Sequence, residues 1–233
     1  MVAIDAQEAL QAYLKAEMLR KESLRRRAPN CIVTVSREAG IPGARFGRAL
    51  AERMGLPFYD RELLEAIAEG AGVPPYELEF IDEHACGLEA SWLERILTRK
   101  CELSEAYRRQ LTVVVMRVAC GGGVILGRGA NFLIAGCRHA LRVRLTGSLE
   151  VRIRWFAGAE GVSEEEARRR VEALDRDRAG FVRELTGHDV NDCHGYDLAL
   201  NMGDLRQETA LEIVFAALGD KQCTFPGKPE QPS

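Results

Sequence analysis

The order of hydrophobic runs in the chain predicts a three-layer α/β/α protein on a five-stranded, mainly parallel sheet. Three observations carry that prediction. Short runs of aliphatic and β-branched residues alternate with longer stretches of helical periodicity, as expected when each parallel strand is reached through a crossover helix. The first run, CIVTV, enters a loop with glycines at 40 and 43 that leads straight into an amphipathic helix. Several runs end in glycines and charged residues at their carboxyl sides, where ligands of such sheets bind.

The elements follow in chain order. Residues 5–27 have helical spacing, with Ala9, Leu10, Tyr13, Leu14 and Met18 on one face and Arg25, Arg26 and Arg27 at the end, where cations suit the helix dipole. Pro29 and Asn30 break that helix before the first strand, 31–35. Beyond the glycine loop, Phe46, Ala49, Leu50, Arg53 and Met54 lie on one helical face, and Gly55 ends the helix. LPFYD (56–60) reads as a second strand, followed by an amphipathic helix through Leu63, Leu64, Ile67 and Ala68. Residues 73–102, with Pro74–Pro75, the acidic segment EFIDEH and a Trp92–Leu97 apolar face, read as short helices on an inserted arm.

The spacing over 103–119 predicts a longer helix, although the β-branched run TVVV competes for a strand. VILGRGA and HALRVRL supply the third and fourth strands, and LEVRIRWFAGA a helix. Residues 162–185 form a long charged helix, with Ser163 and Glu166 in capping-box spacing. YDLALNM supplies the fifth strand, RQETALEIVFAAL a closing helix, and residues 219–233 a Pro- and Gly-rich disordered tail.

Composition narrows the function classes. A net charge of -3 and a pI near 5.9 create no overall attraction to nucleic acid. No apolar run approaches the ~20 residues needed to span a bilayer, and the amino-terminal stretch lacks the apolar core of a secretory signal. A cytoplasmic protein with no membrane or nucleic-acid partner is therefore expected. The seven cysteines are scattered without a C-x-x-C pair, so reduced thiols are expected, with no disulfide framework and no zinc site.

The strand–glycine loop–helix arrangement points positive N–H ends at an anion. The same pattern also serves as an ordinary tight connection. Arginines add to it: Arg37 in the loop, Arg45 at the helix start, and Arg128 between two glycines at a strand end. Guanidinium groups bind phosphate oxygens in bidentate fashion and remain charged. Arg176 and Arg178 on the charged helix equally fit a solvated face with i,i+4 pairing. HDVNDCH (188–194) gathers His188, Asp189, Asp192, Cys193 and His194, a conceivable metal set or a polar connection.

In sequence order, IVTVSREAGIPGARFGRALAERMGLPFYDRELLEAIAEGAG, VILGRGANFL, LRVRLTGSLEVRIR, EEEARRRVEALDRDRAGFVREL and YDLALNMGDL resemble successive blocks of the cytidylate kinase-like family of nucleoside monophosphate kinases. The resemblance spans roughly residues 31–218 and leaves residues 1–30 as a helical extension. It implies an adenylate-kinase-like P-loop fold with an acceptor-binding arm at about 61–110 and an arginine-rich lid at about 150–195.

The implied reaction is transfer of the γ-phosphoryl of ATP, with Mg2+ held through phosphates and water, to a nucleoside monophosphate such as CMP or dCMP. By the same resemblance, Ser36, Arg37, Gly40, Gly43, Ala44 and Arg45 form the donor phosphate loop. Asp60, Arg61 and Arg128 fall at acceptor positions, and Arg128, Arg152, Asp175, Arg176 and Arg178 at catalytic ones.

The chain departs from that pattern where relatives commonly show G-S-G-G and this loop reads Gly40-Ile41-Pro42-Gly43. Ile41 lacks a hydroxyl and Pro42 an N–H, and a lost hydrogen bond to phosphate is worth roughly 1.5–3 kcal/mol. Two readings stay open: an active kinase, and a weak or inactive nucleotide-binding regulatory protein of the same fold. A third, partner binding or self-association through the amino-terminal helix, stands beside them.

Overall fold

The computed structural model describes residues 31–61, Leu64, residues 105–137 and residues 139–227. The expected amino-terminal helix, most of the acceptor arm and the end of the tail lie outside these residues.

Five strands form one sheet in which every pairing is parallel: β1 (Ile32–Arg37), β2 (Phe58–Tyr59), β3 (Gly123–Leu126), β4 (Ala140–Thr146) and β5 (Leu198–Asn201), in the order β2-β3-β1-β4-β5. The central β1 takes β3 on one side and β4 on the other, so the chain leaves it in opposite directions and opens a crevice at its carboxyl end. The register sets Ser36 beside Arg144 and Arg37 beside Leu145.

Alternation along β1 divides its side chains between two cores, as a sheet buried on both faces requires. On one face Val33 and Val35, with Val143 and Leu145, pack against Phe46, Leu50 and Met54 of α1 (Gly43–Met54) and Leu211 and Val214 of α6 (Gln207–Asp220). On the other, Ile32 and Ile125 pack against α2 (Glu105–Gly121) and the short α3 (Ala130–Leu133). The TVVV run belongs to α2: Thr112 to Val115 are all buried, and that burial outweighs the small helix penalty of β-branched residues.

A pair of packed helices, α4 (Leu149–Glu160) and α5 (Glu164–Thr186), follows β4. Ser163 caps α5 by accepting from the Glu166 N–H, and Gly187 closes it in the left-handed region. Phe132 of α3, Val182 of α5 and Val190 of the next loop form a small apolar cluster that seats the end of α5 on the sheet domain.

One expectation is corrected. Disorder was expected from residue 219, but α6 runs to Asp220 and residues 221–227 fold back under the sheet. The Cys31 N–H donates to the Thr224 carbonyl at 3.0 Å and the Gly227 N–H to that of Met54 at 2.9 Å. Cys223 and Phe225 are buried in the α1–α6 core. The apolar residues Cys223 and Phe225 override the Pro–Gly composition of the segment.

Candidate active site

The loop between β1 and α1 is held from both ends. The Glu38 N–H extends the β1–β4 ladder by donating to the Leu145 carbonyl at 3.2 Å, and the Gly43 N–H turns back to Ile41 O at 2.7 Å. The Ala39 N–H donates to Oδ1 of Asp175 at 2.7 Å. Pro42 is the N-cap of α1 and makes no side-chain capping bond. Among the described residues, the N–H groups of Gly40, Ala44 and Arg45 take no intramolecular acceptor. The loop thus offers an anion N–H groups at the start of a helix, though fewer than its length suggests.

Arg37 crosses this loop. A Cβ placed on Gly43 would lie 2.9 Å from its Cγ, and one on Gly127 would lie 2.7 Å from its Nη1. At Gly43 the stem of the arginine leaves no room for a side chain, whereas at Gly127 the mobile guanidinium end could swing aside and the positive φ of 78° is what favours glycine; the arginine thus joins the β1 loop to the turn after β3. In that turn Gly127, Arg128 and Gly129 all have positive φ, 78°, 56° and 63°. For arginine this left-handed backbone costs energy, the kind of strain that concentrates at functional sites. The Arg128 guanidinium lies 4.5 Å from the Phe181 ring of α5, so the turn and that helix are in contact.

Arg152 of α4 is a hub between α5 and the β1 loop. Its Nε donates to Gly147 O at 3.0 Å, and its Nη1 to Ala39 O at 3.2 Å and to Asp175 Oδ2 at 2.5 Å. Glu38, which accepts from the Gly147 N–H at 3.0 Å, is also within ion-pair range of Arg152. Arg152 and Asp175 therefore position the loop, and Arg152 makes all its described contacts inside the protein.

Three residues on from Asp175 along the same helical face, Arg178 reaches the Arg37 carbonyl at 3.4 Å. Burial holds its pKa below the ordinary guanidinium value, Asp175 opposes that shift, and nearby Arg144 adds to it. It stays charged at neutral pH.

Arg144 escaped the sequence reading. It is buried on β4 and donates to Ser36 Oγ at 2.8 Å and to Asn191 Oδ1 at 3.4 Å, with its guanidinium 5.7 Å from the Tyr196 ring. The signal was the alternation LRVRL, which puts arginines on one face of a strand next to β1. Only the register shows that one of them meets Ser36.

Ser36, Arg37, Gly40, Gly43, Arg128, Arg152, Asp175 and Arg178 are thus joined by contacts across the loop, the turn and the helices α4 and α5. Other expected residues are not drawn into this group. Arg176 and Arg45 are exposed and make no hydrogen bond or ion pair among the described residues, and Ala44 is exposed. Arg176 points away because it lies two positions from Arg178 on a helix. Asp60 sits at the β2 edge, paired with Arg48 of α1 at 2.9 Å, and Arg61 is exposed beside it.

In the 188–194 loop, Asp192, Cys193 and His194 place ligand atoms within 4.8 Å of one another. Turn geometry accounts for the contact: Asp192 accepts from the His194 N–H at 3.0 Å, and His194 Nδ1 lies 2.9 Å from the same oxygen. Its hydrogen bonds with His194 hold Asp192 below the usual carboxylate range. His188 is instead stacked on Phe132, with ring centroids 4.7 Å apart.

A family model described as the cytidylate kinase-like family matches residues 32–204. The cytidylate kinase of Methanopyrus kandleri is 35% identical over 106 residues, 42% of this chain and 55% of that protein. The chain thus aligns with about half the length of the curated relative it matches. A crystal structure of a protein from Eubacterium ventriosum superposes with a TM-score of 0.66 at 18% identity, covering 82% of this chain and 99% of the other. At that identity the likeness concerns the fold.

Proposed function

The chain belongs to the cytidylate kinase-like family, and from that premise we propose that it transfers the γ-phosphoryl group of ATP to a nucleoside monophosphate, with CMP or dCMP as the expected acceptor. The observation that carries the reading is the convergence of Arg37, Arg144 and Arg178 on one phosphate-type loop. Around them, Asp175 and Glu38 are tied to Arg152, so the arginine charge is not cancelled locally.

Phosphoryl transfer asks a protein mainly to position two nucleotides and to neutralise charge on the equatorial oxygens. The open N–H groups of Gly40, Ala44 and Arg45 receive the donor phosphates at the start of α1. Arg37 and Arg178 face the transferring group from the loop and from the lid. Arg128, at the turn after β3, faces the acceptor phosphate. Arg152 and Asp175 hold the lid helices on the loop and exclude water that would otherwise hydrolyse ATP.

The described residues fit ATP phosphates better than a dedicated cation cage. Ala44 brings no hydroxyl, and the two carboxylates nearest the loop are paired with Arg152. Mg2+ would be held through phosphates and water and would supply further charge neutralisation.

The test is product formation from ATP and Mg2+ with a panel of nucleoside monophosphates, wild type against Arg128→Ala. Turnover well above the variant, highest with CMP or dCMP, is expected. Turnover equal to the variant across the whole panel would overturn the kinase reading. Tight ATP binding by calorimetry in that case would leave a nucleotide-binding module.

A further inference from the structure

The two ends of the described domain meet at a pair of cysteines far from the crevice. Cys31 immediately precedes β1 and Cys223 lies in the strap that follows α6, 192 positions later, with the two Sγ atoms 2.7 Å apart. Both side chains are fully buried. The two thiols are thus in direct contact, and a small approach of the sulfurs would bring them to the roughly 2.05 Å of a disulfide bond. In the strap, Lys221 Nζ donates to Ala140 O at 2.7 Å and to Asp197 at 3.0 Å, backbone bonds tie Thr224 and Gly227 to the sheet and to α1, and Phe225 rests against Phe215.

We propose that Cys31 and Cys223 are an oxidisable pair, and that a low-molecular-weight disulfide of the glutathione class converts them into an intramolecular bond that locks the strap onto the first strand. The step is two successive exchanges. The Cys223 thiolate, exposed when the strap lifts, attacks one sulfur of the small disulfide, forms a mixed disulfide and releases one small thiol. Cys31 then attacks Cys223 Sγ, forms the Cys31–Cys223 bond and releases the second small thiol. The protein loses two electrons and two protons, and the small disulfide gains them.

Opening of the strap sets the rate. In the closed state the hydrogen bond between the two sulfurs, then burial, hold the Cys31 thiol above its usual range, with Lys221 opposing. A protonated, buried thiol is a poor nucleophile. Local opening of the strap is the route by which the buried sulfurs reach a small disulfide.

Once formed, the bond closes a loop containing nearly the whole domain, and a loop of that length is where a cross-link most restricts the unfolded chain. The oxidised chain should melt roughly 5–15 °C above the reduced one.

The experiment uses the full chain, incubated with glutathione disulfide or with dithiothreitol, then denatured, alkylated and mapped by peptide mass spectrometry. Loss of alkylation at Cys31 and Cys223 together, a linked peptide containing both, and reversal by dithiothreitol are expected. The melting shift should vanish in Cys31→Ser and in Cys223→Ser. The proposal is overturned if both cysteines stay alkylatable in the oxidised wild type, or if Cys223 stops at a glutathione adduct. Pairing of either with any of the other five cysteines instead would also overturn it, and so would linkage that appears only in denaturant. The readout on the wild-type chain stands even if a variant fails to fold.

Discussion

Arg152 and Arg178 face the same crevice from neighbouring helices, yet their contacts assign them different work. Arg152 binds two carbonyls and two carboxylates, so removing it leaves Asp175 and Glu38 without their ion-pair partner and with only a backbone N–H each. Arg152→Met is expected to lower stability by about 2–4 kcal/mol, the cost of a broken ion-pair network discounted for partly exposed carboxylates. On the proposed function, Arg178→Met removes a charge that faces the phosphates and is expected to reduce kcat/KM roughly 10–100-fold with little change in unfolding free energy. Denaturation curves and steady-state kinetics on both variants separate the two roles.

The loop substitutions part company in the same way. Ile41 is 7% exposed and belongs to the core, so Ile41→Ser would cost stability as well as add a hydroxyl. Pro42 is exposed, and Pro42→Gly supplies an N–H at a loss of about 0.4–1 kcal/mol in chain stiffness. Pro42→Gly is therefore the cleaner variant, with ATP affinity by calorimetry expected to rise about tenfold. Unchanged affinity would mean that the loop does not limit donor binding.

At the scale of elements, the β4–β5 edge and the strap share one carboxylate. Asp197 pairs with Arg142 at 3.0 Å and accepts from Lys221 at 3.0 Å. Burial would raise its pKa, but hydrogen bonds from Arg142 and Lys221 outweigh it and hold the carboxyl below the ordinary range. A carboxyl depressed in the folded state contributes stability above the unfolded pKa of about 3.9, and the contribution is lost as pH falls through the folded value. Asp197→Asn is thus expected to lower Tm at pH 7, with the difference from wild type shrinking as pH is taken below the normal carboxylate range. A pH-independent difference would assign the loss to packing. Element types such as α2 and α5 were legible because hydrophobic spacing and the Ser163 cap act within a few residues. The strap was not, because Pro and Gly describe local preference and say nothing of a core waiting for Phe225.

For the whole molecule, the two cores meet at β1 and close only when the chain returns from α6. Truncation after Gln222 removes Cys223 and Phe225 from the α1–α6 core. It is expected to cost roughly 2–4 kcal/mol by the area they bury, read as a fall in Tm. An unchanged Tm would show that residues 223–227 rest on the sheet without supporting it.

The sequence by itself determined the order of the five strands and the longer described helices between them, the glycine loop after the first strand, the Gly–Arg–Gly turn and the family, since each is written in neighbouring residues. Only the tertiary structure decided which charges meet. Ser36 with Arg144, Ala39 with Asp175 and Cys31 with Cys223 are pairs separated by 108, 136 and 192 positions. Such pairs depend on strand register, on the rotation of α5 and on where the chain end comes to rest. Those are set by the packing of both cores together, and no window of consecutive residues contains them.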